Sequence, residues 1–80
     1  MDKVKLNKLR AQVNRLFKGR PAGSVIQLII DDKVYGSYEI PENHFVTIDS
    51  KSPIDWLNQC VCFAELKGLK GEFSLRIKPE

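Results

Sequence analysis

The sequence has no apolar run long enough to cross a membrane. Its longest strongly apolar stretch, residues 25–30, is interrupted by Gln27, whereas a spanning helix needs about 20 apolar residues. It has one histidine, His44, and two cysteines, Cys60 and Cys62. A structural zinc site takes four ligands, commonly with two to four residues between paired cysteines. One residue separates these two, so no metal is expected. There is no phosphate-cradling G-x-x-x-x-G-K, no G-x-G-x-x-G, no H-E-x-x-H and no G-x-S-x-G, and no cofactor is expected. The N-terminal segment is charged and has no hydrophobic centre, so no secretory leader is expected. At 80 residues the chain holds a single small domain, residues 1–80, and is too short for a dinucleotide-binding or TIM-barrel enzyme.

Acid is scarce where base is plentiful. After Asp2 no carboxylate occurs until Asp31. Between them stand Lys3, Lys5, Lys8, Arg10, Arg15, Lys18 and Arg20. The formal charge of +3 therefore divides into +6 over residues 1–30 and −3 over residues 31–80. Such asymmetry points to a charged partner.

Those bases fall on a helix expected over residues 3–18. Asp2 can accept from its first amides, Gly19 follows its end, and Pro21 stops continuation. At 100° per residue Leu6, Leu9, Val13, Leu16 and Phe17 share one sector, a core-facing stripe. The opposite face carries the cations. A helix built for stability alone would interleave glutamate. Here Lys5/Lys8 and Arg15/Lys18 are like-charge pairs three residues apart, each costing about 0.2–0.5 kcal/mol. The spacing of Leu6, Leu9, Val13 and Leu16 also fits a short coiled-coil seam, which would make a homodimer. Packing on the chain's own sheet is the competing use.

Residues 24–30 read as a strand with apolar side chains on both faces, hence a central one. A turn at Asp31-Asp32-Lys33 returns the chain as a strand over residues 34–40. Gly36 inside it marks a bulge or a close approach. Tyr38, grouped with Val34 and Ile40, is expected in the core. Tyr35 is expected to be more exposed and is a candidate interface aromatic. Residues 41–44 turn again, and residues 45–49 are expected to form a short third strand.

Ser52-Pro53-Ile54-Asp55 opens a second helix, with Ser52 as cap and Pro53 in the first position. It runs towards Gly68 if the helical spacing of Ile54, Leu57, Val61 and Ala64 decides. It ends near Gln59, with a strand over residues 60–66, if the poor helix propensity of Cys-Val-Cys-Phe decides. Both cysteines read as reduced, small and buried, in keeping with a cytoplasmic setting. Residues 72–78 alternate cleanly, with Phe73, Leu75 and Ile77 inward and Ser74, Arg76 and Lys78 outward. The expected architecture is α+β: an N-terminal amphipathic helix and a second helix packed on a mainly antiparallel sheet of about four strands, in the order α-β-β-β-α-β.

Three functions fit these residues. The first is non-catalytic nucleic-acid binding through Lys3, Lys5, Lys8, Arg10, Arg15, Lys18 and Arg20, supported by Arg76 and Lys78. Long cations over Asn7, Ala11 and Asn14 would track phosphates, and Asn7, Gln12 and Asn14 could reach base edges. The second is a protein-binding inhibitor or adaptor that docks the same helix on an acidic protein surface. The third is a small ribonuclease around His44, with Tyr35, Tyr38, Asp31 and Asp32 nearby in sequence. Turn chemistry alone explains Asp31, Asp32 and His44.

Overall fold

Asp2 and Ser52 begin the two helices as their side chains dictate. Asp2 Oδ1 accepts from Val4 N at 3.0 Å at the head of α1, Lys3–Gly19. Ser52 Oγ accepts from Asp55 N at 3.1 Å at the head of α2, Pro53–Leu66, with Pro53 in the first position. Between and after them run β1, Val25–Ile30, β2, Lys33–Glu39, and β3, Phe73–Ile77. The computed structural model describes residues 2–46 and 51–79. The fold is α+β.

Helical spacing outweighs propensity in α2, which continues through Cys60–Leu66. Its end shows why. Gly68 adopts φ +71, its amide donates to Glu65 O at 3.0 Å, and Leu69 N donates to Ala64 O at 3.0 Å. This left-handed closure satisfies the last carbonyls, and glycine adopts it without a Cβ penalty. Leu57, Val61 and Ala64 are thereby buried.

The sheet order is β2-β1-β3, antiparallel throughout. β1 is central, which accounts for its apolar residues on both faces. Ile26, Leu28 and Ile30 look towards the helices, with Leu9, Val13, Tyr38, Trp56, Leu57 and Leu75 in the same core. Val13, Ile26, Leu28, Ile40 and Leu57 are the largest fully buried side chains, each contributing about 1.5–3 kcal/mol relative to exposure. No helix among the described residues lies on the opposite face of the sheet.

Three strands stand among the described residues, against the four expected. The chain leaves β2 through a 3-10 turn at Glu42–His44, where Asn43 and His44 both have φ 57. Phe45 and Val46 follow outside any strand, 69% and 39% exposed. The remainder of that expected strand, residues 47–49, lies outside the described residues.

Register in β2 departs from simple alternation. Leu28 pairs with Gly36 and Ile29 with Val34, so Tyr35 is the extra residue of a bulge. The slip turns Val34 away from Tyr38, and Val34 is 48% exposed rather than buried. Tyr35 is half-buried and packs against the core. Gly36 marks both a bulge and a close approach: a Cβ there would stand 3.0 Å from Cys60 Sγ and 3.7 Å from Trp56.

The apolar stripe of α1 is spent inside the protein. Leu9 and Val13 are buried, and Leu6, Leu16 and Phe17 pack against the core. Both cysteines are free thiols. Cys60 is half-buried, but Cys62 is exposed. Two residues advance a helix by about 200°, which carries Cys62 away from the face that Cys60 presents to β2.

Candidate nucleic-acid interface

The cations of α1 sort by angle around the helix axis. Lys3, Lys8, Arg15 and Lys18 are exposed on the side away from the core, and Arg20 is exposed just past its end. Lys5 is exposed too and lines a cleft of about 880 Å³ with Lys8, Gln12, Lys70 and Phe73, and with three carboxylates, Asp2, Glu65 and Glu72. Lys70 joins this group through the loop before β3. Its place among glycines in residues 67–71 was the only sequence signal for it, and that signal reads as a flexible connection.

Arg10 sits differently. It is half-buried, with Nε donating to Asn58 Oδ1 at 3.0 Å and Nη1 to Asn7 Oδ1 at 3.4 Å. It ties α1 to α2. Its position is 100° of helix rotation from Ala11 and towards α2, a placement that the sequence spacing alone could not assign.

Gln12 flanks the other side of α1. Its Nε2 lies 3.5 Å from Leu75 O. Lys78 N donates to Val25 O at 2.8 Å and Asp31 N to Glu72 O at 3.3 Å. Antiparallel alternation then turns the carbonyls of Phe73, Leu75 and Ile77 to the outer edge of β3. Gln12 therefore covers part of an open strand edge.

Arg76 and Lys78 do not share the α1 surface. They project from the sheet face that carries no helix, where Arg76 Nε donates to Gln27 Oε1 at 2.9 Å. That bond satisfies the buried Gln27 amide oxygen, as a buried polar group requires. Arg20 and Lys78 line one cleft of about 720 Å³ at the end of β3. The nine expected cations thus form an α1 group, a pair on the other sheet face of which Lys78 shares a cleft with Arg20, and one residue, Arg10, used between helices.

His44 is a latch. Its Nε2 lies 2.6 Å from Arg20 O, which as a carbonyl can only accept. Its ring stands edge-on to Phe17 at 5.3 Å between centroids. Asp31 and Asp32 lie at the β1–β2 turn, about 20 Å of strand away from the Arg20 and His44 end. The side chains grouped with His44 in sequence are therefore not one constellation. Tyr38 donates its hydroxyl to Lys51 O at 2.7 Å, and burial holds the phenol above its ordinary range. No group of three or more metal-ligating side chains occurs among the described residues. No helix among them is long and apolar enough to cross a membrane.

Comparison with protein-family models, curated proteins and solved structures finds no match for this chain.

Proposed function

We propose that this protein is a small, non-catalytic nucleic-acid-binding domain that docks through α1. One observation carries the reading. Lys3, Lys8, Arg15 and Lys18 are all exposed along a helix that bears no acidic side chain, and Arg20 is exposed just past its end. The helix accepts like-charge repulsion and an adverse macrodipole at Lys3 and Lys5. A polyanion would reverse both costs. The free thiols suit a reducing, cytoplasmic setting.

A second reading rests on β3. It is an edge strand with outward carbonyls, with Lys5, Lys8 and Lys70 among the cleft residues on one side, where Asp2, Glu65 and Glu72 also stand, and Arg76 and Lys78 on the other. An extended acidic protein segment would meet hydrogen-bonding groups and positive charge together.

Fluorescence anisotropy with labelled nucleic acid and with a labelled polyglutamate peptide separates the two. Nucleic-acid binding at low salt, lost in Lys8→Glu with Arg15→Glu, supports the first. Peptide binding with no nucleic-acid binding replaces it with the second.

A further inference from the structure

We infer that the α1 surface takes the phosphate backbone of a double helix, DNA or RNA, without reading its base sequence. This rests on the nucleic-acid reading above and narrows it to a ligand class. Reading bases in a groove needs side-chain amides or guanidinium groups that are at liberty to meet base edges. Two of the three amides on α1 are already committed. Asn7 Oδ1 accepts from Arg10, and Gln12 Nε2 points to Leu75 O. Arg10 itself is held by Asn58. Asn14 and Arg15 are left exposed, one amide and one guanidinium on a helix whose other exposed cations are lysines.

Binding single strands without sequence preference relies on aromatic side chains that stack on unpaired bases, beside a basic groove. Here most rings turn inward, and Phe73 alone among them also lines the cleft beside Lys5 and Lys8. Phe17, Tyr38 and Trp56 form a chain with centroids 6.4 and 5.6 Å apart, and Tyr35 and Phe73 pack against the same core. The exposed rings among the described residues are Phe63, on α2, and Phe45, which follows His44 at the Arg20 end of α1.

What remains is a rigid row of charge. Lys8, Arg15 and Lys18 span about 15 Å of helix axis. Over that length a duplex presents about nine phosphates on a stiff frame, and a single strand about half as many on a flexible one. A preorganised row gains most against a preorganised partner.

The test is anisotropy with two DNA duplexes of unrelated sequence, an RNA duplex and oligo-dT, each at about 50 and 200 mM salt. The two DNA duplexes are expected to bind within about twofold of each other, and oligo-dT at least tenfold more weakly than the better duplex. With about four phosphate contacts, duplex affinity is expected to fall roughly 100-fold between the two salts. Asn14→Ala is expected to leave the ratio between duplexes unchanged. Lys8→Gln with Arg15→Gln is expected to abolish binding while circular dichroism stays that of the parent. More than tenfold discrimination between the DNA duplexes overturns the inference, as does oligo-dT binding as tightly as duplex and losing affinity in Phe45→Ala. Either result leaves nucleic-acid binding standing. Failure of every probe to bind at low salt fells that reading and this inference with it.

Discussion

Gly36 lies beneath Cys60, so close that a Cβ at Gly36 would stand 3.0 Å from Sγ. Glycine in a strand interior is normally a loss of about 0.5–1 kcal/mol. Here it lets α2 settle onto β2, with Trp56 closing over the same spot. Gly36→Val is expected to destabilise the protein by about 1–3 kcal/mol through overpacking. Removing the sulfur in a Gly36→Val, Cys60→Ala double variant is expected to recover part of that loss. Urea unfolding measures both, and a Gly36→Val protein as stable as the parent refutes the contact.

Burial pushes the Cys60 thiol above its ordinary value of 9.0, with Lys51 offsetting part of the rise. Between the unfolded and folded values the folded state holds the extra proton. Stability contributed this way is complete below the ordinary value and is lost as pH rises through the folded one. The urea midpoint is therefore expected to fall from about pH 9 upward, and to fall less steeply in Cys60→Ala. Tyr38, also raised by burial, adds a decline of the same sign at higher pH that this variant retains.

Thiol labelling gives an independent check on α2. Cys62 is exposed and Cys60 half-buried. A thiol-exchange reagent at neutral pH is expected to modify the parent in a fast and a slow phase. Cys62→Ser is expected to remove the fast one. Equal rates at the two sites are incompatible with helix continuing past Gln59 in this orientation.

Asp31 and Asp32 form the two-residue turn between β1 and β2 with φ 50 and 66. Both conformations are left-handed, and the second position of such a turn favours glycine. Asp32→Gly is expected to stabilise by about 0.5–1 kcal/mol. Asp31 differs because its Oδ1 accepts from Glu72 N at 3.2 Å. Asp31→Ala is expected to cost about 1–2 kcal/mol. Thermal melts of the two variants should move in opposite directions.

Arg10 and Arg15 are expected to separate stability from binding. Arg10→Gln breaks the bond to Asn58 and is expected to lower stability by about 1–2 kcal/mol with little change in nucleic-acid affinity. Arg15→Gln is expected to do the reverse, losing affinity and salt dependence while unfolding at the parent's urea concentration. An Arg10→Gln protein of parental stability but weak binding would return Arg10 to the interface.

Local signals settled much of this fold in advance. Asp2, Ser52, Pro53 and Gly68 each act on groups within a few residues, so the helix ends were legible. The 3.6-residue spacing of Ile54, Leu57, Val61 and Ala64 carried α2 across a stretch of poor formers, because burial of one face outweighs tenths of a kcal/mol in propensity. Apolar residues on both faces of residues 24–30 announced a central strand. The charge asymmetry pointed to α1 as the surface to weigh.

Tertiary contacts decided the rest. The bulge at Tyr35 belongs to the pairing with β1, and it exposes Val34. Arg10 and Gln12 look like their neighbours in sequence, but Asn58 and Leu75 claim them from 48 and 63 residues away. By charge alone Arg76 and Lys78 group with α1, and strand alternation sends them to the other face of the sheet. Periodicity assigns a side chain to a face. Only the packing of distant elements assigns that face to solvent, to a neighbour or to a ligand.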